Sequence, residues 1–195
     1  DKTGTLTQGR LQVANVLSGD VQNFQTLEQI PLALQNEIVF SLLNNTSASI
    51  DLEDPKNPLI VGANPTEKAL LQYLGPRLAE KENLQVVTDI PFKSAYKFSA
   101  TQVKGTRSLT LVKGAVEIIT SECTHYLDQQ GKRQPLENIK DLELNMAELS
   151  ERAMRLIGVA ISEQPITVDN KLPEQLTGLI AKGLNQSPTT QVSTL

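Results

Sequence analysis

Tryptophan is absent and other aromatics are scarce, 4% of the 195 residues, so any core must rest on Leu, Ile, Val and Ala. A single cysteine, Cys123, excludes an internal disulfide and a multi-cysteine metal cluster, and it suits a reducing compartment. A single histidine, His125, gives no basis for a His-based metal site, and the nearby Cys123 brings no third or fourth ligand. Positive charge is not in excess: 18 Lys and Arg stand against 22 Asp and Glu, a net −4. That balance argues against a general nucleic-acid or membrane-surface binder, which needs cations to neutralise phosphates. It leaves room for a single nucleotide, which takes only a few well-placed cations. There is no signal-peptide pattern and no apolar run long enough to cross a bilayer. Internal repeats are lacking too. The chain opens on Asp1 rather than Met and therefore reads as a piece of something longer.

What is present is enough chain for one generous domain, or one domain and a fragment of another. Residues 1–10 are rich in Gly and Thr and read as a connector, and 11–17 alternate as a strand. Residues 31–43 carry apolar side chains at helical spacing, and 44–57 read as a loop. The segment Asn64-Pro65-Thr66-Glu67 has the form of a helix start, with Asn64 as cap, Pro65 at the first position and Glu67 at the third. Gly75-Pro76 ends that helix. Strands are expected at 84–90, 97–103 and 108–113, the last two joined by the turn Lys104-Gly105-Thr106-Arg107. A short helix over 114–122, a hairpin over 126–136, a helix over 136–152 and a buried strand over 155–161 follow. A last helix is expected over 173–183, then a mobile tail rich in Ser, Thr and Gln. Hairpins among helices give an α+β class with an antiparallel sheet rather than a parallel doubly wound one.

Five short segments carry candidate chemistry. In Asp1-Lys2-Thr3-Gly4-Thr5-Leu6-Thr7 a carboxylate is a good phosphoryl acceptor, because the acyl phosphate it forms is readily hydrolysed again. The adjacent Lys2 and the hydroxyl of Thr3 can supply charge and donors to a transferring group. Glu67 stands before an apolar helix, where it is a capping acid as readily as a ligand contact. Phe92 follows a strand in Pro91-Phe92-Lys93-Ser94-Ala95-Tyr96-Lys97, a place where Phe is either core or an exposed stacking face. In Lys113-Gly114-Ala115 a strand-end lysine can reach a ligand and the glycine permits close backbone approach. Arg155 enters the apolar strand Leu156-Ile157-Gly158-Val159-Ala160.

The first segment resembles, letter for letter, the phosphorylation motif of P-type cation-transporting ATPases. The other four resemble that family's nucleotide-domain signatures and come in the family's order. The resemblance implies a twisted antiparallel β-sheet flanked by helices, in the cytoplasmic domain of an integral membrane protein. Residues 1–10 would be a stub of the phosphorylation (P) domain and hinge, and 11–195 the nucleotide-binding (N) domain. It implies that Glu67 approaches the adenine amino group and Phe92 stacks on the ring. Lys97, Lys113 and Gly114 would lie near the nucleotide, and Arg155 would contact phosphates or ribose. Asp1 would be phosphorylated by ATP with Lys2 and Thr3 assisting, and Asp1 and Thr3 would hold Mg²⁺. Partners would be ATP, the P, A and transmembrane domains of the same pump, and a transported cation that this segment does not bind.

The sequence departs from the family at several points. Ser94 stands where some relatives have arginine. The Thr-Gly-Asp segment and the Gly-Asp-Gly-x-Asn-Asp loop do not occur, so the chain by itself is expected to bind nucleotide weakly and not to turn it over efficiently. The sole histidine precedes Tyr126 rather than proline, which disfavours the heavy-metal branch. Asn45-Thr46-Ser47 fits a glycosylation sequon, which a cytosolic ATP-binding domain would not present to the machinery. Two alternatives are a haloacid-dehalogenase-type phosphatase or phosphotransferase, which also uses an Asp-x-x-x-Thr loop, and a non-catalytic regulatory module.

Overall fold

Alternation of apolar side chains in the middle of the chain, and their helical spacing on either side, produce a sheet with helices on both faces. The computed structural model describes residues 10–187, apart from 138 and 153. The Asp1-Lys2-Thr3 segment and the expected mobile tail lie outside the described residues.

In chain order, β1 (Arg10–Ser18) and β2 (Asn23–Phe24) lead to α1 (Leu32–Asn44), and a small hairpin of β3 (Ser49–Asp51) and β4 (Leu59–Val61) precedes α2 (Pro65–Gln72). A 3₁₀ turn over Gly75–Glu80 leads to β5 (Gln85–Ile90), β6 (Phe98–Lys104) and β7 (Leu109–Ala115). Then come α3 (Val116–Glu122), β8 (Cys123–Leu127), β9 (Arg133–Pro135), α4 (Ile139–Glu151), β10 (Arg155–Ser162) and β11 (Leu176–Ser187). The main sheet runs β2-β1-β11-β10-β7-β6-β5, with β8 and β9 attached beside β11. All its pairings are antiparallel except β8 with β11.

Adjacent residues of a strand point to opposite faces, and the core divides accordingly. Val16, Ile157, Val159 and Leu184 pack with Leu34, Ile38 and Leu42 of α1 and Leu70 and Leu71 of α2. Leu17, Leu156 and Ala181, next to Val16, Ile157 and Ile180, face the other way, onto Leu142, Met146 and Leu149 of α4. Ala100, Val112 and Ala160 share that second face with Ile119 of α3.

The helix expected over 173–183 is corrected: from Leu176 on this stretch is β11, buried between β1 and β10. Two open strand edges offered it a full ladder of hydrogen bonds on both sides, and long-range pairing outweighs a weak local preference. Gly183, which marked a helix end in the sequence, serves packing instead. A Cβ there would come within 2.8 Å of the Met154 sulfur. The loop expected over 44–57 likewise contains β3, whose partner β4 lies beyond it.

Candidate functional site

The N-terminus of α2 is built as its residue types require. The Asn64 carboxamide oxygen accepts the Glu67 backbone N–H at 2.8 Å, and Pro65 occupies the first turn, where no N–H is needed. A capping box would turn the Glu67 carboxylate back onto Asn64. Instead it reaches across to β7. Lys113 Nζ stands 2.7 Å from Oε1 and 2.8 Å from Oε2 of Glu67, and Thr46 Oγ1 donates to Oε2 at 2.7 Å. Lys113 Nζ also donates to the Asn45 carbonyl oxygen. Both charges are buried, Glu67 being 8% and Lys113 6% exposed. Burial lowers the Lys113 pKa from the ordinary lysine value, and the Glu67 charge works against that shift. A buried pair is tolerated only when its remaining donors and acceptors are also met, as Asn45 and Thr46 meet them here.

Above this pair lies a cleft of about 110 Å³, lined by Asn64, Thr66, Glu67, Leu70, Phe92, Ser99, Lys113, Gly114, Arg155 and Ile157. Leu70 and Ile157 supply apolar floor. Phe92, from the exposed loop between β5 and β6, is 53% exposed, so the reading of it as core does not hold. An aromatic ring left in water beside a cleft is a stacking face for a flat ligand. Arg155 begins β10, is exposed, and reaches Thr66 Oγ1 only at 3.5 Å, so its guanidinium is free to take an anion. Since Glu67 and Lys113 offset each other, Arg155 is the one uncompensated cation among the described lining residues.

The structure thus brings together Glu67, Phe92, Lys113, Gly114 and Arg155. Lys97 does not line the cleft. Its side chain is exposed, its φ is 62°, and its carbonyl oxygen accepts the Ala115 N–H at 2.9 Å. Asp1, Lys2 and Thr3 lie outside the described residues. Among those described, no group of three or more His, Cys, Asp or Glu is placed to hold a metal ion. Cys123 stays a packing residue; burial pushes its thiol up to about 12.

Sequence reasoning missed Thr46, Asn45, Ser99 and Ile157. The only signal at the first two was the sequon-like triplet, and the fold gives it another meaning. Asn45 is 3% exposed, and its carboxamide is engaged by Thr101 Oγ1 at 2.9 Å and by the Ser99 carbonyl at 3.4 Å.

A second buried amine lies near. Lys182 of β11 pairs with Ile157, a lining residue, and is 0% exposed. Its Nζ sits 4.1 Å from the Tyr73 ring centroid and has no hydrogen-bond partner among the described residues. Its pKa is driven well below 10.5, by burial first and by the Lys113 charge second. The unfolded chain protonates this amine at its ordinary value. Between the two values the unfolded state therefore holds the extra proton, and stability rises with pH. Lys182→Met is expected to stabilise the protein at neutral pH by about 2 kcal/mol, since it removes an unpartnered buried polar group. It should also flatten that rise. Thermal melts from neutral pH to about pH 10 check both, with a gain near 5 °C expected at neutral pH.

Comparisons with known proteins come from the same region. Residues 34–184 match the sequence model of the family described as P-type ATPase, cytoplasmic domain N. The Calcium-transporting ATPase PAT1 of Dictyostelium discoideum is 34% identical over 171 residues, covering 82% of this chain and 15% of that protein. The Calcium-transporting ATPase 8, plasma membrane-type, of Arabidopsis thaliana is 28% identical over 169 residues, covering 82% of this chain and 16% of that protein. The Calcium-transporting ATPase 10, plasma membrane-type, of Oryza sativa subsp. japonica is 26% identical over 193 residues, covering 90% and 19%. The chain thus spans less than a fifth of the length of these relatives.

Proposed function

Given that the chain belongs to the P-type ATPases, as their cytoplasmic domain N, we propose that it binds ATP in this cleft and presents the γ-phosphate to Asp1 within an ion-translocating pump. The observation that carries the proposal is convergence. Five residues chosen from motifs between positions 67 and 155 surround one cleft that has an exposed ring, a buried carboxylate and a free guanidinium. Phe92 stacks on the adenine, Glu67 accepts from its amino group, and Gly114 lets β6 pack close against β7 beside the base. Lys113 holds the Glu67 carboxylate in place. Arg155 takes phosphate or ribose oxygens, and Lys97 approaches from the β5–β6 loop.

With one uncompensated cation, the cleft grips the base end and leaves the triphosphate free to be delivered. Weak affinity follows from that charge balance. In the intact protein, residues 1–10 belong to the P domain and hinge, and 11–195 form the N domain. An Asp1 carboxylate oxygen bonds the γ-phosphorus as the bond to the bridging oxygen breaks and ADP leaves, with Lys2 and Thr3 holding the phosphoryl oxygens. Asp1 and Thr3 would hold Mg²⁺, which would supply charge neutralisation. The P, A and transmembrane domains are the partners. The cation we assign is calcium, after the names of the relatives, and it binds elsewhere in the protein.

Calorimetric titration with ATP tests the cleft. Phe92→Ala should weaken binding at least about tenfold, the loss of one base stack. It should leave stability within about 0.5 kcal/mol, because the ring is exposed. Equal affinity in the variant would remove Phe92 from the site. A wild-type chain that binds no adenine nucleotide would leave a regulatory module as the better reading.

A further inference from the structure

Glu67 and Lys113 come from elements far apart in sequence, and a third segment locks them together. Directly after α1, the Asn45 carbonyl oxygen accepts from Lys113 Nζ, and Thr46 Oγ1 donates to Glu67 Oε2 at 2.7 Å. Thr46 is itself fixed, because its Oγ1 accepts the Ala48 N–H at 3.1 Å. Asn45 is fixed by Thr101 and Ser99 on β6. Neither Asn45 nor Thr46 lines the cleft, so any effect on a ligand passes through the pair they hold.

A carboxylate oxygen has two acceptor positions. At Glu67 Oε2 both are taken, by Lys113 and Thr46, whereas among the described residues Oε1 carries only the Lys113 contact. We infer that Thr46 and Asn45 are positioning residues that set the base selectivity of the cleft, by fixing Glu67 so that Oε1 keeps one acceptor position open. A ligand edge that donates a hydrogen bond satisfies that position. An edge that offers a carbonyl oxygen meets an ionised acceptor it cannot pair with. The cleft therefore takes a base with an amino group at this edge, adenine, and refuses one with a carbonyl there, guanine. This rests on the reading of the cleft as a nucleotide site. Without the Thr46 hydroxyl, Oε2 regains an open position, the carboxylate can turn about its long axis, and the discrimination fades.

Thr46→Val and Thr46→Ser in the 195-residue chain test the inference, with ATP and GTP titrated separately. The expected result is a wild-type preference for ATP that falls about tenfold in Thr46→Val, mainly through weaker ATP binding. Thr46→Ser, which restores the hydroxyl, should return the preference to within about twofold of the wild type. An unchanged ATP-to-GTP ratio in a folded Thr46→Val chain overturns the inference, as does a failure of Thr46→Ser to restore it. If the wild type binds neither nucleotide, the nucleotide reading fails. The positioning claim is then judged without ligand, on the ¹⁵N ammonium resonance of Lys113, assigned through Lys113→Arg. That signal should move in Thr46→Val and return in Thr46→Ser. A signal identical in all three chains overturns the claim.

Discussion

Glu67→Leu is expected to destabilise the protein by about 4 kcal/mol, although leucine fills a similar volume. The substitution leaves the Lys113 ammonium buried with the Asn45 carbonyl as its remaining partner, and stranding one half of a buried ion pair costs about 3–5 kcal/mol. Against a total stability on the order of 5–15 kcal/mol, that is a large share. The double variant Glu67→Leu, Lys113→Met removes both charges and should recover most of the loss, to within about 1 kcal/mol of the wild type. Urea unfolding of the wild type, the two single variants Glu67→Leu and Lys113→Met, and the double variant checks this. If the double variant is as unstable as the sum of its single changes, the two side chains are not the coupled pair described here.

Gly114→Val is expected to cost about 3 kcal/mol and to damage the cleft as well. Gly114 pairs with Phe98 on one side and Gly158 on the other, in the middle of the sheet. Its φ is not positive, so the need for glycine is spatial. A Cβ would lie 2.7 Å from Phe98 Cα and 2.8 Å from Phe98 Cβ, and would also collide with the Lys97 carbonyl oxygen. These are main-chain atoms and the root of a side chain, which cannot swing aside. Relief requires β6 to move away from β7, and that shift carries the Phe92–Lys97 loop with it. Urea unfolding should show the stability loss, and ATP titration of the folded fraction should show weakened binding. Wild-type stability in Gly114→Val would mean that the two strands are not this close.

The residues differ in how far the sequence disclosed them. The start of α2 was legible because Asn64 and Pro65 each satisfy a local demand of a helix terminus, and the structure places the cap where those demands put it. The β6–β7 hairpin was legible for the same reason, through the turn chemistry of residues 104–107. Strand β11 was not. The run Leu179-Ile180-Ala181 suits a buried helix as well as a central strand, and only the open edges of β1 and β10 decide between them. Motif residues could be picked from the sequence, but the use of Glu67 could not. Its partners Thr46 and Lys113 are 21 and 46 positions away, and no local pattern links them. Lys182 was invisible for a related reason: a lysine near the end of the chain reads as solvent-facing until the sheet closes over it.

Backbone amide resonances followed during an ATP titration show whether this cleft holds the base of ATP. Saturable shifts are expected at millimolar ATP, clustered at Glu67, Phe92, Gly114 and Arg155, with those around Lys113 moving in step and all of them lost in Phe92→Ala. Shifts that do not saturate, or that gather away from these residues, would contradict that assignment.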